Sequence, residues 1–170
     1  MSMQEQRRAR MVDLFRPAKL NLSAVEADAA FVVFEKTYRD SWRAFPDAAS
    51  CLTALARYKL AVLTNGDVEQ QRAKLQAAGL GSYFRNVFVS SDIGYAKPNR
   101  AAFLVSCARL GVEPNHCAHV GDSLDTDVRG SAHAGLISIW LNRDGSHNVP
   151  VDVDFLMIHT LDELPDLVAG

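Results

Sequence analysis

Apolar and polar positions alternate along the chain in blocks that predict strands and helices in turn. After residue 47, short apolar runs are separated by longer segments with helical spacing. Short apolar runs bounded by glycine or polar residues are typical of buried strands. The predicted strands are "KLAVLT", "NVFVS", "CAHVG", "LISIWL" and "VDFLMI". Strands that alternate with helices predict a parallel α/β sheet with helices on both faces.

The helices predicted between these strands cover residues 48–58, 68–78, 98–110 and 125–134, and "LDELPDLV" predicts a last helix. Pro98 is expected at the start of its helix, where its missing N–H costs nothing.

The first forty residues follow a different pattern. Residues 23–38 place apolar side chains at near-helical spacing, and Ser23 and Glu26 form a capping-box pair ahead of them. This pattern predicts an amphipathic helix whose apolar positions are Val25, Ala29, Val32, Val33 and Phe34. Pro46 then interrupts the helical pattern, so we place a domain boundary within residues 41–46, with an appendage over 1–44 and an α/β core over 45–170.

Composition excludes several classes of function. The net charge is −2 and the pI is near 6.2, which argues against a general nucleic-acid binder. The basic cluster at Arg7, Arg8 and Arg10 is interpreted as the solvated start of a helix. The sequence shows neither a secretory apolar region nor a stretch long enough to span a membrane, so no membrane partner is expected.

The cysteines indicate a reducing compartment. Cys51, Cys107 and Cys117 are odd in number, widely spaced and in apolar contexts, which is typical of reduced thiols in a cytoplasmic protein. His116 and His119 flank Cys117, which could indicate a soft-metal site. The alternation of "HCAHV" favours a strand instead, because neighbouring side chains then point to opposite faces.

Polar residues follow the predicted strands and would gather at the carboxyl edge of the sheet, where ligands bind in such folds. Thr64, Asn65 and Gly66 follow one strand, and Lys97 precedes a helix that begins at the same edge. A hydroxyl, backbone amides, an ammonium group and a helix N-terminus together predict a phosphate-binding site.

Three carboxylates lie close together in "VGDSLDTDVRG". Asp122 and Asp127 suit Mg²⁺, which prefers oxygen ligands and commonly bridges to a phosphate. Gly121 lets the backbone turn sharply off its strand. We assign Asp125 instead to the first turn of its helix, where the macrodipole favours a negative charge.

The segments "LAVLTNG", "GYAKPNRAAF", "HVGDSLDTDVRGSAHAGL" and "SIWLNRDG", in this order, closely resemble the haloacid dehalogenase-like (HAD) hydrolase superfamily. The resemblance covers residues 42–168 and is closest to the phosphatase-type subfamily, whose helical cap is inserted after the first core strand. It implies a Rossmann-like core with the later part of a cap in residues 1–44. It also implies that Thr64 is the phosphate-binding hydroxyl of the family's second motif and that Lys97 is the lysine of the third. Asp122 and Asp127 match the acidic pair of the fourth motif.

The first motif of this family, an apolar strand leading into DxDGT, does not occur in the 170 residues. Its first aspartate is the family's nucleophile, and its strand is central in the family's sheet. Asp13 has neither a preceding strand nor a partner two residues on. Asp152 and Asp154 form a DxD, but no apolar strand precedes them and no Gly-Thr follows, so we do not favour a circular permutation.

Two classes of function therefore stay open. The first is a Mg²⁺-dependent phosphatase acting on a small phosphate ester in the parent protein, with this chain inactive for lack of the nucleophile. The second is a non-catalytic, truncated relative that binds phosphate or a partner. A haloacid dehalogenase is a minor alternative, because the family's dehalogenases do not resemble "GDSLDTD". A homo-oligomer or a complementing segment is expected to fill the missing strand.

Overall fold

The computed structural model describes residues 3–145 and 152–169, which contain eight α-helices and five strands. The helices are α1 (Met3–Phe15), α2 (Ala24–Asp40), α3 (Ala48–Ala54), α4 (Val68–Ala77), α5 (Ser90–Ile93), α6 (Arg100–Leu110), α7 (Gly130–Ala134) and α8 (Leu164–Leu167). The strands are β1 (Ala61–Thr64), β2 (Asn86–Val89), β3 (Ala118–Gly121), β4 (Ile137–Leu141) and β5 (Leu156–Ile158). None of the helices in these two ranges is long and apolar enough to cross a membrane.

All strand pairs among the described residues are parallel, and they form two separate sheets. β1 pairs with β2, with Thr64 opposite Val89. β3 pairs with β4 and β4 with β5, with Gly121 opposite Trp140. The expected Rossmann-like α/β fold with parallel sheets is thereby confirmed. A strand missing between the two sheets stays a prediction.

Helices cover both faces of the sheets, and an apolar cluster lies on each side. One cluster packs β4 and β5 against α3 and α8; its buried members are Cys51, Leu55, Ile139, Ile158 and Leu164. The other packs β2 against α5, α6 and α7; its buried members are Phe88, Ile93, Ala102, Phe103 and Ala134. Successive side chains of a strand point to opposite faces of its sheet. On β3, Val120 packs against the first cluster, while the ring of His119 meets Phe103 of the second.

Several predicted boundaries shift. The helix predicted over residues 48–58 ends at Ala54, and Pro98 lies one residue before the N-cap Asn99, not inside its helix. The strand predicted to end at Ser90 ends at Val89, because Ser90 begins the short helix α5. The helix predicted over 125–134 begins with a wide, π-helical turn, Leu124–Arg129, before α7.

The chain divides into two compact units, Met1–Trp42 and Arg43–Gly170, close to the predicted boundary. In the first unit, Ser23 and Glu26 form the predicted capping box at the start of α2, and Arg8 makes a bidentate ion pair with Asp28. The apolar positions of α2 are exposed, with Val25 at 79% and Val33 at 67% of full exposure, and Ala27 is the buried residue on that helix. Of the predicted apolar positions, Phe34 contacts the rings of Phe31 and Tyr38 on the same helix.

Candidate active site

Lys97 joins the carboxyl ends of β1 and β3. Its backbone is clamped by Asn65, which follows β1: Asn65 Nδ2 donates to the Lys97 carbonyl oxygen (2.9 Å), and the Lys97 N–H donates to Asn65 Oδ1 (2.8 Å). Its ammonium group donates to Asp127 Oδ1, which follows β3, at 2.5 Å. One residue thus holds the loops of both sheets together at a single edge.

Asp127 is surrounded by donors from three segments of the chain. Oδ1 accepts from Lys97 Nζ and lies 3.0 Å from His119 Nε2, while Oδ2 accepts from the Ser123 N–H at 3.2 Å. Burial alone would raise the pKa of Asp127, because it disfavours the ionised form. The hydrogen bonds from His119 and Lys97 outweigh burial and hold the pKa at about 2, so Asp127 is ionised at neutral pH.

Gly121 is required by the position of the Asp127 side chain. A Cβ at residue 121 would lie 2.3 Å from Asp127 Cγ, well inside the contact distance of two carbon atoms. The glycine therefore permits the close approach of the carboxylate to β3. The sharp turn expected at Gly121 stays a prediction.

The wide turn that carries Asp127 is anchored by buried hydroxyls. Ser131 Oγ donates to the Asp127 carbonyl oxygen at 2.6 Å, and Ser138 Oγ donates to the Val128 carbonyl oxygen at 2.9 Å. The Asp127 carbonyl oxygen also accepts from the Gly130 N–H, so the Ser131 hydroxyl is a second donor to it. Trp140 Nε1 donates to the Asp122 carbonyl oxygen at 3.2 Å and fixes the start of this loop.

The remaining phosphate-binding candidates are partly engaged within the chain. The Thr64 hydroxyl donates to Gln71 Oε1 at 3.1 Å, and the Gly66 N–H donates to Ser90 Oγ at 2.9 Å. A phosphate would therefore replace these two contacts. Ser90, which the sequence placed only at the end of a strand, is the group that satisfies the Gly66 amide.

The three neighbouring aspartates differ in their surroundings. The Asp125 carboxylate pairs with Arg129, which also makes two hydrogen bonds to Asp152 (3.0 and 3.1 Å). Asp122 is exposed, and within residues 3–145 and 152–169 no hydrogen bond or ion pair reaches its carboxylate. The charges of Asp125 and Asp127 are thus offset by cations, which leaves Asp122 free to bind a ligand.

Asp122 and Asp127 are not equally available to bind a magnesium ion. Asp122 offers a free carboxylate, whereas both oxygens of Asp127 already accept hydrogen bonds. No group of three or more His, Cys, Asp or Glu residues placed to hold a metal occurs in the described part of the chain. Mg²⁺ commonly uses one or two carboxylates and takes its other ligands from water and phosphate, so a single free carboxylate beside a phosphate site suits it.

Of the three other aspartates considered as nucleophiles, Asp154 is exposed and the other two are engaged elsewhere. Asp13 pairs with Arg16 at 2.5 Å on the exposed side of the first unit, and Asp152 is held by Arg129. His119 is the site residue that the sequence did not reveal. The sequence feature that could have identified it is its position two residues before Gly121, since residues i and i+2 of a strand share a face.

Comparison with known proteins agrees with this geometry. A family model for haloacid dehalogenase-like hydrolases matches residues 4–135. N-acylneuraminate-9-phosphatase of Homo sapiens is 35% identical over 147 residues, which cover 84% of this chain and 58% of that protein. The chain thus spans little more than half the length of this curated relative.

Two solved structures show the same fold. The HAD-hydrolase YfnB of Bacillus subtilis, determined with bound magnesium, gives a TM-score of 0.83 at 26% identity, covering 100% of this chain and 74% of that one. A 2-haloacid dehalogenase from Pseudomonas syringae pv. Tomato DC3000 gives a TM-score of 0.73 at 29% identity, covering 98% and 71%. Because the family model extends over most of the residues and includes the turn that carries Asp127, this chain belongs to the haloacid dehalogenase-like hydrolase family.

Proposed function

We propose that this chain carries the phosphate- and magnesium-binding site of a phosphatase that acts on a small phosphate ester. The observation that supports it most directly is the position of Lys97, whose backbone is fixed by Asn65 and whose ammonium is fixed by Asp127. An ammonium group has three N–H donors, so the contact with Asp127 leaves others for a phosphate oxygen. The similarity to a phosphatase agrees with this assignment.

Thr64 and Lys97 bind the ester in this proposal, and the loop amides at Asn65 and Gly66 complete its anion site. The Thr64 hydroxyl and the Gly66 N–H exchange their contacts with Gln71 and Ser90 for phosphate oxygens. Charged hydrogen bonds of this kind are stronger than neutral ones, which favours the exchange. Lys97 also offsets the negative charge that develops in the transition state.

Asp122 is the direct ligand of Mg²⁺ in this proposal. When bound, the ion would neutralise phosphate charge and polarise the ester. Asp127 acts mainly by holding Lys97, because its two oxygens accept hydrogen bonds from Lys97, His119 and Ser123. This differs from the equal roles that the sequence suggested for the two aspartates.

The attacking carboxylate is proposed to come from a segment that lies between β1 and β3. In the described residues each of these strands pairs on one side only, β1 with β2 and β3 with β4. A small cavity of about 80 Å³ is lined by Leu63 of β1, by His119 of β3 and by Phe103 of α6. A complementing segment or a second copy of the chain that adds a strand here would satisfy both free edges.

Two other functions compete with this proposal. A non-catalytic relative would use the same Lys97 site to bind phosphate without turnover, and the absence of DxDGT from the 170 residues favours it for the chain alone. The fold similarity to a 2-haloacid dehalogenase keeps that activity as a further candidate. A free Asp122 after β3, together with the Lys97 ammonium held by Asp127, favours metal and phosphate over a halogenated acid.

The expected partner is a small phosphorylated molecule, with neither nucleic acid nor membrane as a ligand. A cytoplasmic location is part of the proposal and is supported by the free thiols of Cys51, Cys107 and Cys117.

Binding of inorganic phosphate tests the site itself, without requiring catalysis. We expect calorimetry in millimolar Mg²⁺ to show one phosphate site, and Lys97→Met to weaken it at least about tenfold, because a charged hydrogen bond is lost. Thr64→Val should weaken it less. Lys74→Met is the control, since Lys74 lies in α4 outside the site. Equal phosphate affinity in the Lys97 and Lys74 variants would contradict the proposal.

A further inference from the structure

We propose that His119 is a positioning residue of this site, which acts through Asp127 on the Lys97 ammonium group. The inference rests on the proposed phosphate-binding function of Lys97. His119 does not need to touch the phosphate itself. Its contribution is to hold the carboxylate to which the Lys97 ammonium is bonded.

The contact geometry supports this role. His119 Nε2 and Lys97 Nζ both contact the same oxygen, Asp127 Oδ1, at 3.0 and 2.5 Å. The Ser123 N–H holds the other oxygen, so the plane of the carboxylate is fixed by donors on both sides. Without His119, Oδ1 would keep Lys97 as its sole partner, and the two side chains could move together. The Lys97 ammonium would then occupy several positions, and only some of them would suit phosphate binding.

The imidazole is itself held in place. Its ring meets Phe103 edge to face, with centroids 5.1 Å apart and an interplanar angle of 88°, and the His119 side chain is 13% exposed. Phe103 is fully buried, and a Cβ at Gly130 would lie 2.9 Å from its ring. The Phe103 ring therefore has little freedom to shift. The Phe103 ring, which α6 carries, therefore restricts the movement of the His119 ring.

The hydrogen-bond partner of His119, Asp127, determines which ring nitrogen carries the hydrogen. Because Asp127 is an acceptor, Nε2 must carry the hydrogen that it donates, and this assignment holds for either charge state of the ring. A glutamine side chain can present an N–H in a similar direction, whereas leucine and alanine cannot. The set of three substitutions separates the hydrogen bond from the packing of the ring.

The test measures phosphate affinity by calorimetry in constant Mg²⁺, together with the melting temperature of each variant. We expect His119→Leu to weaken phosphate binding about tenfold, since it removes a hydrogen bond to a charged group. His119→Gln should stay within about threefold of the unmodified chain, because its amide restores the donor. His119→Ala should match the leucine variant and covers the case in which leucine does not fit.

A role limited to packing would give a different pattern. The melting temperature would then fall in the glutamine and alanine variants, and phosphate affinity would follow folding and not the presence of a donor. Loss of binding in Lys97→Met with unchanged affinity in His119→Leu and His119→Ala would overturn the assignment of His119 alone. Absence of phosphate binding in the unmodified chain would overturn the proposed function and this inference together.

Discussion

Lys97 and Asp127 show how single residues connect the two sheets. The sequence separates them by a helix and a strand, yet the ammonium and the carboxylate lie 2.5 Å apart with 14% and 7% side-chain exposure. Exposed ion pairs contribute little to stability, but this pair is buried and has further hydrogen bonds. Its role is best described as fixing the position of a cation at the edge where β1 and β3 end.

The crowded aspartates could be recognised from sequence, but their separate roles could not. Asp122 and Asp127 follow an apolar strand and a glycine, which is a local pattern. The pairing of Asp125 with Arg129 is also local, since residues four apart share a helix face. The contacts of Asp127 with Lys97 and His119 depend on the tertiary fold, which a linear pattern does not encode.

Magnesium binding is predicted to depend on Asp122 and not on Asp125. Millimolar Mg²⁺ should raise the melting temperature, because a ligand that binds only the folded state stabilises it. Asp122→Asn should abolish most of this shift, since it neutralises the free carboxylate. Asp125→Asn is the matched control and should keep the shift, because Asp125 is paired with Arg129. Equal magnesium shifts in the two variants would exclude Asp122 as the metal ligand.

At the scale of elements, the strands could be predicted from the sequence, whereas several helix boundaries could not. β1 and β4 lie where their apolar runs predicted them. The wide turn Leu124–Arg129 could not be predicted, because it depends on the buried hydroxyls of Ser131 and Ser138. Helix α3 ends at Ala54 although the apolar pattern continues to Leu55, which caps the helix and packs in the core. Tertiary contacts thus set the element boundaries that the local spacing of apolar residues did not determine.

Asp47 connects three elements and should make the core sensitive to acid. It lies at the start of α3 and accepts two hydrogen bonds from Arg143, after β4, and one from the Leu161 N–H at 2.9 Å. The Arg143 hydrogen bonds hold the pKa of Asp47 below its ordinary value. Its stabilising effect is therefore complete above about pH 4, the ordinary value for aspartate, and is lost as the pH falls further.

Asp47→Asn is accordingly expected to lower the free energy of unfolding by about 2 kcal/mol at pH 7, because it weakens hydrogen bonds to the half-buried guanidinium of Arg143. The difference from the unmodified chain should shrink at pH 3. Denaturant unfolding at both pH values measures this, with the exposed Asp166→Asn as control. An Asp47→Asn variant as stable as the unmodified chain at pH 7 would contradict the assigned role.

At the scale of the whole molecule, the described strands form two sheets, and the loops of the proposed site follow strands of both. β1 and β3 end beside the Lys97 site, and each pairs on one side only among the described residues. Burying a strand edge without partners costs roughly 1–3 kcal/mol for each unsatisfied polar group. A segment added between the strands would remove this cost, and its carboxyl end would lie beside Thr64 and Asp122. Binding of phosphate and turnover of an ester are therefore separate properties in this account.

Magnesium-dependent phosphate release from an aryl phosphate tests that separation most directly. It is measured for the 170-residue chain and for the same chain extended by the front of a cap and an apolar strand that ends in DxDGT. We expect negligible release by the 170-residue chain, because its sequence contains no DxDGT to supply the attacking aspartate, and sustained release by the extended protein. Lys97→Met in the extended protein should abolish it. Robust release by the 170-residue chain would contradict the account, and Asn substitutions at Asp13, Asp152 and Asp154 would then identify the nucleophile.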